Sequence, residues 1–228
     1  MNWHPDIPEE YRNHVVTGDA RELAKRLPEE SVDLIFTDPV YDRIEDYRWL
    51  AETAARVLTP DSACLVWLTN GRIPIVLDLF APHLRYVKVL CFHMIRMIAG
   101  RPAYRRDSRS FVQWTPLLWF EKGTHEASGR MPDLAWANWG NGEQNHGWHK
   151  ALVPLARWVE CCSAEGAVVF DPFTGSGTVP AVCKQLRRNY VAFEIDPGTA
   201  TLARERIRLT PEPLILPDPV EWQGELAF

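Results

Sequence analysis

Short apolar runs that end in an acid recur along this chain, and each is followed by a stretch with helical spacing. SVDLIFTDP (31–39) is apolar for most of its length and reaches Asp38. AVVFDP (167–172) reaches Asp171, and YVAFEID (190–196) ends in Glu194 and Asp196. VVTGD (15–19), SACLVWLT (62–69) and YVKVLCFHMI (86–95) read as further strands; FVQWTPLLWFEKG (111–123) reads as another, with Pro116 interrupting it. The segments at 20–28, 47–58, 73–84, 151–163, 177–188 and 199–209 place apolar residues three and four apart, as helices do. Buried strands alternating with helices predict an α/β fold: a Rossmann-like, mostly parallel sheet with helices on both faces. Ligands bind such sheets beyond the carboxyl ends of the strands. Asp38, Asp171 and Glu194 all fall there.

Length and charge narrow the classes. A chain of 228 residues can build one substantial core, read here as a single domain over 1–228 with an insertion at about 96–149. The net charge of −5 excludes a generally basic nucleic-acid coat, so contact with nucleic acid requires local positive charge. No apolar run approaches the roughly 20 residues that span a bilayer, so no membrane partner is expected. The opening MNWHPDIPEE has no basic segment leading into an apolar one, as a secretory leader would. The five cysteines lack CxxC spacing and sit mostly in apolar stretches, which fits reduced thiols in a cytoplasmic protein. His4, His14, His83, His93 and His125 show no metal-ligand spacing, and no metal is expected.

The motif with the most chemistry is FDPFTGSGTVPAV (170–182): strand, tight turn with Gly175 and Gly177, then helix. The glycines allow a ligand close to the backbone, and the helix N-terminus suits a carboxylate. Asp171 can accept from an ammonium. Glu194, some twenty residues on, sits where an acid in this topology takes two ribose hydroxyls. Pro180 fills the third glycine position, so the run is not a dinucleotide fingerprint. A Gly-x-Gly turn is equally well a plain turn; a strand-end acid can be merely solvated, but the spacing to Glu194 favours function. Taken together, the set describes an adenosine ligand with an amino-acid end, as in S-adenosyl-L-methionine.

These motifs carry a resemblance. TDPVY (37–41) resembles the Asp-Pro-Pro-Tyr motif of amino-group DNA methyltransferases, and FDPFTGSGT resembles their cofactor loop. NHGWHKAL (145–152) is similar to the segment that precedes that loop, with His146 and Lys150 at matching spacing. VVTGDARELAKRLPEESVDLIFTDP and LLWFEKG look like further stretches of the same family, and the motif order is that of its beta class. The resemblance implies methyl transfer from S-adenosyl-L-methionine to an exocyclic amine, N6 of a flipped adenine in DNA. It implies Asp38, Pro39 and Tyr41 as catalytic: the carboxylate and carbonyl take the amine hydrogens and the ring stacks on the base. It further implies cofactor contacts from Asp19, Ala20, Asp38, His149, Lys150, Asp171, Phe173, Gly175, Ser176, Gly177, Thr178 and Glu194.

Val40 stands where the family has a second proline, and Gly147 and Ala151 replace two more. An Asp at position 38 goes with adenine; cytosine-acting members more often carry Ser. N4-cytosine, an RNA target and an inactive nucleic-acid-binding subunit are the rival readings. Residues 96–110 hold five arginines, of which Arg101, Arg105, Arg106 and Arg109 are candidate phosphate contacts. Residues 124–149 occupy the target-recognition position but are few. A short target, or help from a partner subunit or a homodimer mate, is the expectation.

Overall fold

The computed structural model describes residues 3–98, 101–103, 105–106, 111–112, 114–124, 131–139 and 147–211. Its elements run β1 (His14–Thr17), α1 (Ala20–Leu23), β2 (Val32–Thr37), α2 (Ile44–Val57), β3 (Leu58–Trp67), α3 (Ile73–Phe80), β4 (Arg85–Ile98), β5 (Arg101–Ala103), β6 (Arg105–Arg106), β7 (Phe111–Val112), β8 (Trp114–Lys122), β9 (Leu134–Trp139), α4 (Gly147–Cys162), β10 (Val168–Asp171), α5 (Thr178–Gln185), β11 (Asn189–Glu194) and α6 (Pro197–Leu209). Nine strands form one sheet in the order β1-β11-β10-β2-β3-β8-β4-β5, with β9 added against β4. The first five of these strands are parallel, and β8 enters antiparallel between β3 and β4.

The strands are apolar on both faces because both faces are covered. Leu34, Phe36, Leu65, Trp67 and Val169 join one core cluster with Trp158 and Val159 of α4, Ala181 of α5 and Ala203 of α6. Their strand neighbours Ile35, Cys64, Val66, Val168 and Phe170 join a second, with Tyr47 and Leu50 of α2 and Phe80 of α3. Side chains alternate across a strand, so one run feeds two cores. Fully burying a side chain of this size contributes roughly 1.5–3 kcal/mol, which makes these cores the main support of the sheet.

Three differences from the sequence reading follow from tertiary context. Pro116 does not interrupt β8. Its carbonyl accepts from Leu68 N at 3.3 Å, so its missing N–H faces β3 just past Trp67, the last β3 residue in the ladder. The insertion at about 96–149 also contributes structure: β9 pairs in parallel with β4, and β5 forms an antiparallel pair with the end of β4. Finally, α4 begins at Gly147, inside the insertion and ahead of the helical spacing read over 151–163. The chain beyond Pro211 lies outside the described residues, as does Arg109. No helix of the described residues is long and apolar enough to cross a membrane.

Candidate active site

The crevice lies where β10 meets β2. These strands pair only at Val169↔Leu34 and Phe170↔Ile35. β10 leads onward to β11 and β2 leads to β3, on opposite sides, which makes this the switch point of the sheet. The carboxyl ends of β1, β11, β10 and β2 bring together Asp19, Glu194, Asp171 and Asp38.

Asp171 closes β10 and is 3% exposed. Its Oδ1 accepts from Thr37 Oγ1 at 2.7 Å and from Phe173 N at 3.3 Å. Burial pushes the carboxyl up to about 7, and nearby Asp38 adds to the shift, while the hydrogen bonds pull it down. Thr174 Oγ1 donates to the Asp171 carbonyl at 2.9 Å, starting the turn. Glu194 then holds the glycine backbone: its two carboxylate oxygens accept from Gly175 N and Asp196 N, each at 2.9 Å. This fixes the carboxylate that the sequence reading assigns to the ribose hydroxyls.

The two glycines have separate tasks. Gly177, at φ +79°, caps α5, and a Cβ there would meet the Ala203 backbone at 3.1 Å. It is required for the close packing of α5 on α6. Gly175 has φ +51°, and a Cβ there would meet nothing within 4 Å. Its side is open. Ser176 and Thr178 are engaged from α6: Arg206 donates to Ser176 Oγ at 3.1 Å and to Thr178 Oγ1 at 2.6 Å. Phe173 packs edge-on against Trp49 of α2, with ring centroids 5.7 Å apart.

Asp38 is exposed, yet protein atoms crowd it. Their desolvation pushes its carboxyl up to about 6; the Tyr41 side-chain hydrogen bond lowers it, and the open side lets water limit the shift. The Tyr41 ring packs on the core cluster beneath the sheet. Pro39 is buried, and Val40, in the proline position, is 56% exposed. Asp42 at the end of this loop meets Arg72 at 3.4 Å. Asp19 caps α1 by accepting from Arg21 N at 2.8 Å, and Gly18 N donates to the Glu194 carbonyl at 2.9 Å, so Asp19 and Ala20 flank Glu194.

His149 and Lys150 fall in the first turn of α4, which packs against β2 and β9; their side chains lie outside the described residues. Arg101 is in β5, and Arg105 and Arg106 are in β6. β4 runs in the same direction as β2 and β3, so the β4–β5 hairpin leaves the sheet on the edge that carries Asp38. Three strand spacings, about 14 Å, separate β2 from β4 along that edge.

Three residues important here escaped the sequence reading: Thr37, Arg206 and Arg21, the last paired with Asp46 of α2 at 2.6 Å. Thr37 had a readable signal, a polar residue at the end of an apolar strand. The arginines had none. A cleft of about 480 Å³ between α1 and α2, lined by Arg21, Lys25, Trp49, Glu52 and Arg56, is not the site. Its cations are already engaged by Asp46, by Glu22 and by the carbonyls of Leu27 and Ala24. Among the described residues no cluster of His, Cys, Asp and Glu could hold a metal.

The sequence profile of the N6/N4 methyltransferases, described as DNA methylase, matches residues 32–205. The chain belongs to this family. Among curated relatives it is similar to the type II methyltransferase M.HpaI of Haemophilus parainfluenzae, 23% identical over 85% of this chain and 73% of that protein. It is also similar to M.BamHI of Bacillus amyloliquefaciens, 24% identical over 84% of this chain and 56% of the relative. Among solved structures, the M1.HpyAVI–SAM complex superposes with a TM-score of 0.67 at 21% identity, over 86% of this chain and 99% of that one. The PvuII cytosine-N4-specific DNA methyltransferase gives 0.67 at 18% identity, over 90% of both chains. These likenesses establish the shared fold.

As a family member the chain is an S-adenosyl-L-methionine-dependent DNA methyltransferase acting on an exocyclic amine. The residues present fit that cofactor. A buried acid stands ready for a cationic group, a carboxylate is aimed by two backbone amides, and the glycine between them leaves its side open.

Proposed function

We propose that the enzyme methylates N6 of adenine in DNA, with Asp38, Pro39 and Tyr41 as its catalytic residues. The supporting observation is the Asp38 carboxylate: exposed at the switch point, bonded by Tyr41 and close to buried Asp171. Asp171 serves the ammonium of the cofactor, Glu194 its ribose, Gly175 its close approach, and Asp19 and Ala20 its adenine.

The exocyclic nitrogen is a weak nucleophile because its lone pair is delocalised into the ring. The Asp38 carboxylate and the Pro39 carbonyl accept its two hydrogens and draw it toward tetrahedral geometry. S-adenosyl-L-methionine, when bound, supplies an electrophilic methyl on a sulfonium. As the N–C bond forms the methyl–sulfur bond breaks, its electron pair staying on sulfur as a neutral thioether; the nitrogen gains positive charge, and one of its protons passes to the Asp38 carboxylate or to water. A carboxyl near 6 that is open to solvent can take that proton and release it. The ring of Tyr41 is available to stack on the flipped base. Asp rather than Ser at position 38 favours adenine over cytosine.

The test uses purified protein, unmethylated DNA and methyl-labelled cofactor, followed by nucleoside analysis. Label in N6-methyldeoxyadenosine is the expected result, and Asp38→Ala lowers it by roughly 10³-fold. Label in N4-methyldeoxycytidine corrects the base, and no label on DNA overturns the reading.

Arg101, Arg105, Arg106 and Arg109 form the phosphate-contacting part of the same reading, supported by their density in an acidic chain and by the departure of the β4–β5 hairpin from the end of the sheet that carries Asp38. In Arg105→Ala/Arg106→Ala the dependence of log affinity on log salt becomes shallower by about 2. An unchanged slope removes that assignment.

A further inference from the structure

Past the pair Phe170↔Ile35, β10 and β2 no longer share a ladder. The bond from Thr37 Oγ1 to Asp171 Oδ1, at 2.7 Å, bridges the gap. Thr37 is 0% exposed. A hydroxyl is costly to bury without a partner, and Val would keep the branched shape that suits a strand without that cost. The hydroxyl is therefore tied to what Asp171 does. Oδ1 takes two donors, Thr37 Oγ1 and Phe173 N, and these set the plane of the carboxylate. Thr37 is also the residue bonded directly to Asp38, so a pull on its side chain acts on the backbone that places the second acid.

We propose that Thr37 is a positioning residue for both acids: its hydroxyl aims Asp171 at the ammonium of the cofactor and ties the strand end carrying Asp38 to the cofactor site. The inference rests on the roles given above to Asp171 and Asp38. No atom of Thr37 takes part in the transfer.

Three variants test it: Thr37→Val, Thr37→Ser and Asp171→Asn. Affinity for S-adenosyl-L-methionine is measured by calorimetry, and kcat for methyl transfer to unmethylated DNA is measured at saturating cofactor. Thr37→Val weakens cofactor binding by roughly 10-fold to 100-fold, the range for a lost hydrogen bond to a charged group. It also lowers kcat at saturation, because Asp38 is no longer held. Thr37→Ser keeps the donor and stays close to wild type in both. Unchanged cofactor affinity in Thr37→Val overturns the proposal, and so does equal damage in Thr37→Ser, which would assign the effect to the methyl group. Raised Kd with unchanged kcat overturns the link to Asp38. Should Thr37→Val not fold, Thr37→Cys makes the same comparison with a much weaker donor. If Asp171→Asn binds cofactor like wild type, the role given to Asp171 fails; if Asp171→Asn loses binding and Thr37→Val does not, only the Thr37 proposal fails.

Discussion

The loop after β10 is fastened by polar bonds from three directions, whereas the loop after β2 is held by the Tyr41 ring on the core, by bonds within itself and by one exposed ion pair. Glu194 holds Gly175 from β11, Arg206 holds Ser176 and Thr178 from α6, and Thr37 holds Asp171 from β2. The loop at 38–43 has a Tyr41–Asp38 contact, a Val40 carbonyl accepting from Arg43 N at 2.9 Å and an Asp42–Arg72 pair, with Asp42 almost fully exposed. A small cofactor of fixed shape rewards a preformed cradle. A base that must leave a duplex needs a mouth that can yield. Val40 in place of a second proline ring adds to that freedom.

The contrast breaks most visibly at the glycines. Gly177→Ala forces a left-handed Cβ against Ala203 and costs about 2–4 kcal/mol, read as a large drop in thermal midpoint. Gly175→Ala costs only about 1 kcal/mol for its positive φ. Its methyl enters the open side of the turn, so cofactor affinity falls at least about tenfold. If both variants lose stability equally and cofactor affinity is spared, the division of labour between the two glycines is wrong.

A smaller effect sharpens the other loop. Only ionised Asp38 accepts from the amine, so kcat at saturating cofactor is lost as pH falls through about 6. The Tyr41 hydrogen bond lowers that value, so Tyr41→Phe, which keeps the ring, moves the acid limb to higher pH. The rate on the alkaline plateau changes little. An acid limb that stays in place or moves down would show that Tyr41 does not stabilise the charged form.

What was legible in the sequence follows the same line. β2, β10 and β11 were readable because strands buried on both faces are continuous apolar runs, and the acids at their ends located the crevice. β9 was not, because LAWANW gains its place by pairing with β4, and nothing local announces that partner. Pro116 misled for the same reason: its missing N–H matters only relative to where β3 ends. In the candidate site, the strand-end positions of Asp38, Asp171 and Glu194 and the turn at Gly175 were readable from local motifs. The engagement of Ser176 and Thr178 by Arg206 was not, since a helix packed from the far end of the chain decides it. The hydroxyl of Tyr41 donating to Asp38 was likewise invisible, because the motif describes the ring and not its rim.

The bond between Thr37 and Asp171 spans 134 residues of chain, which gives the enzyme a timetable during its synthesis. At ribosomal speeds, β2 waits on the order of 10 s for β10 to emerge. For that interval one apolar strand edge has no neighbour, a hazard for pairing with other chains. Of the residues given roles above, Asp38 is made early, and Asp171, the glycine turn and Glu194 come late. A chain interrupted between β2 and β10 therefore carries Asp38 without Asp171, the glycine turn or Glu194, and leaves the β10-facing edge of β2 uncovered.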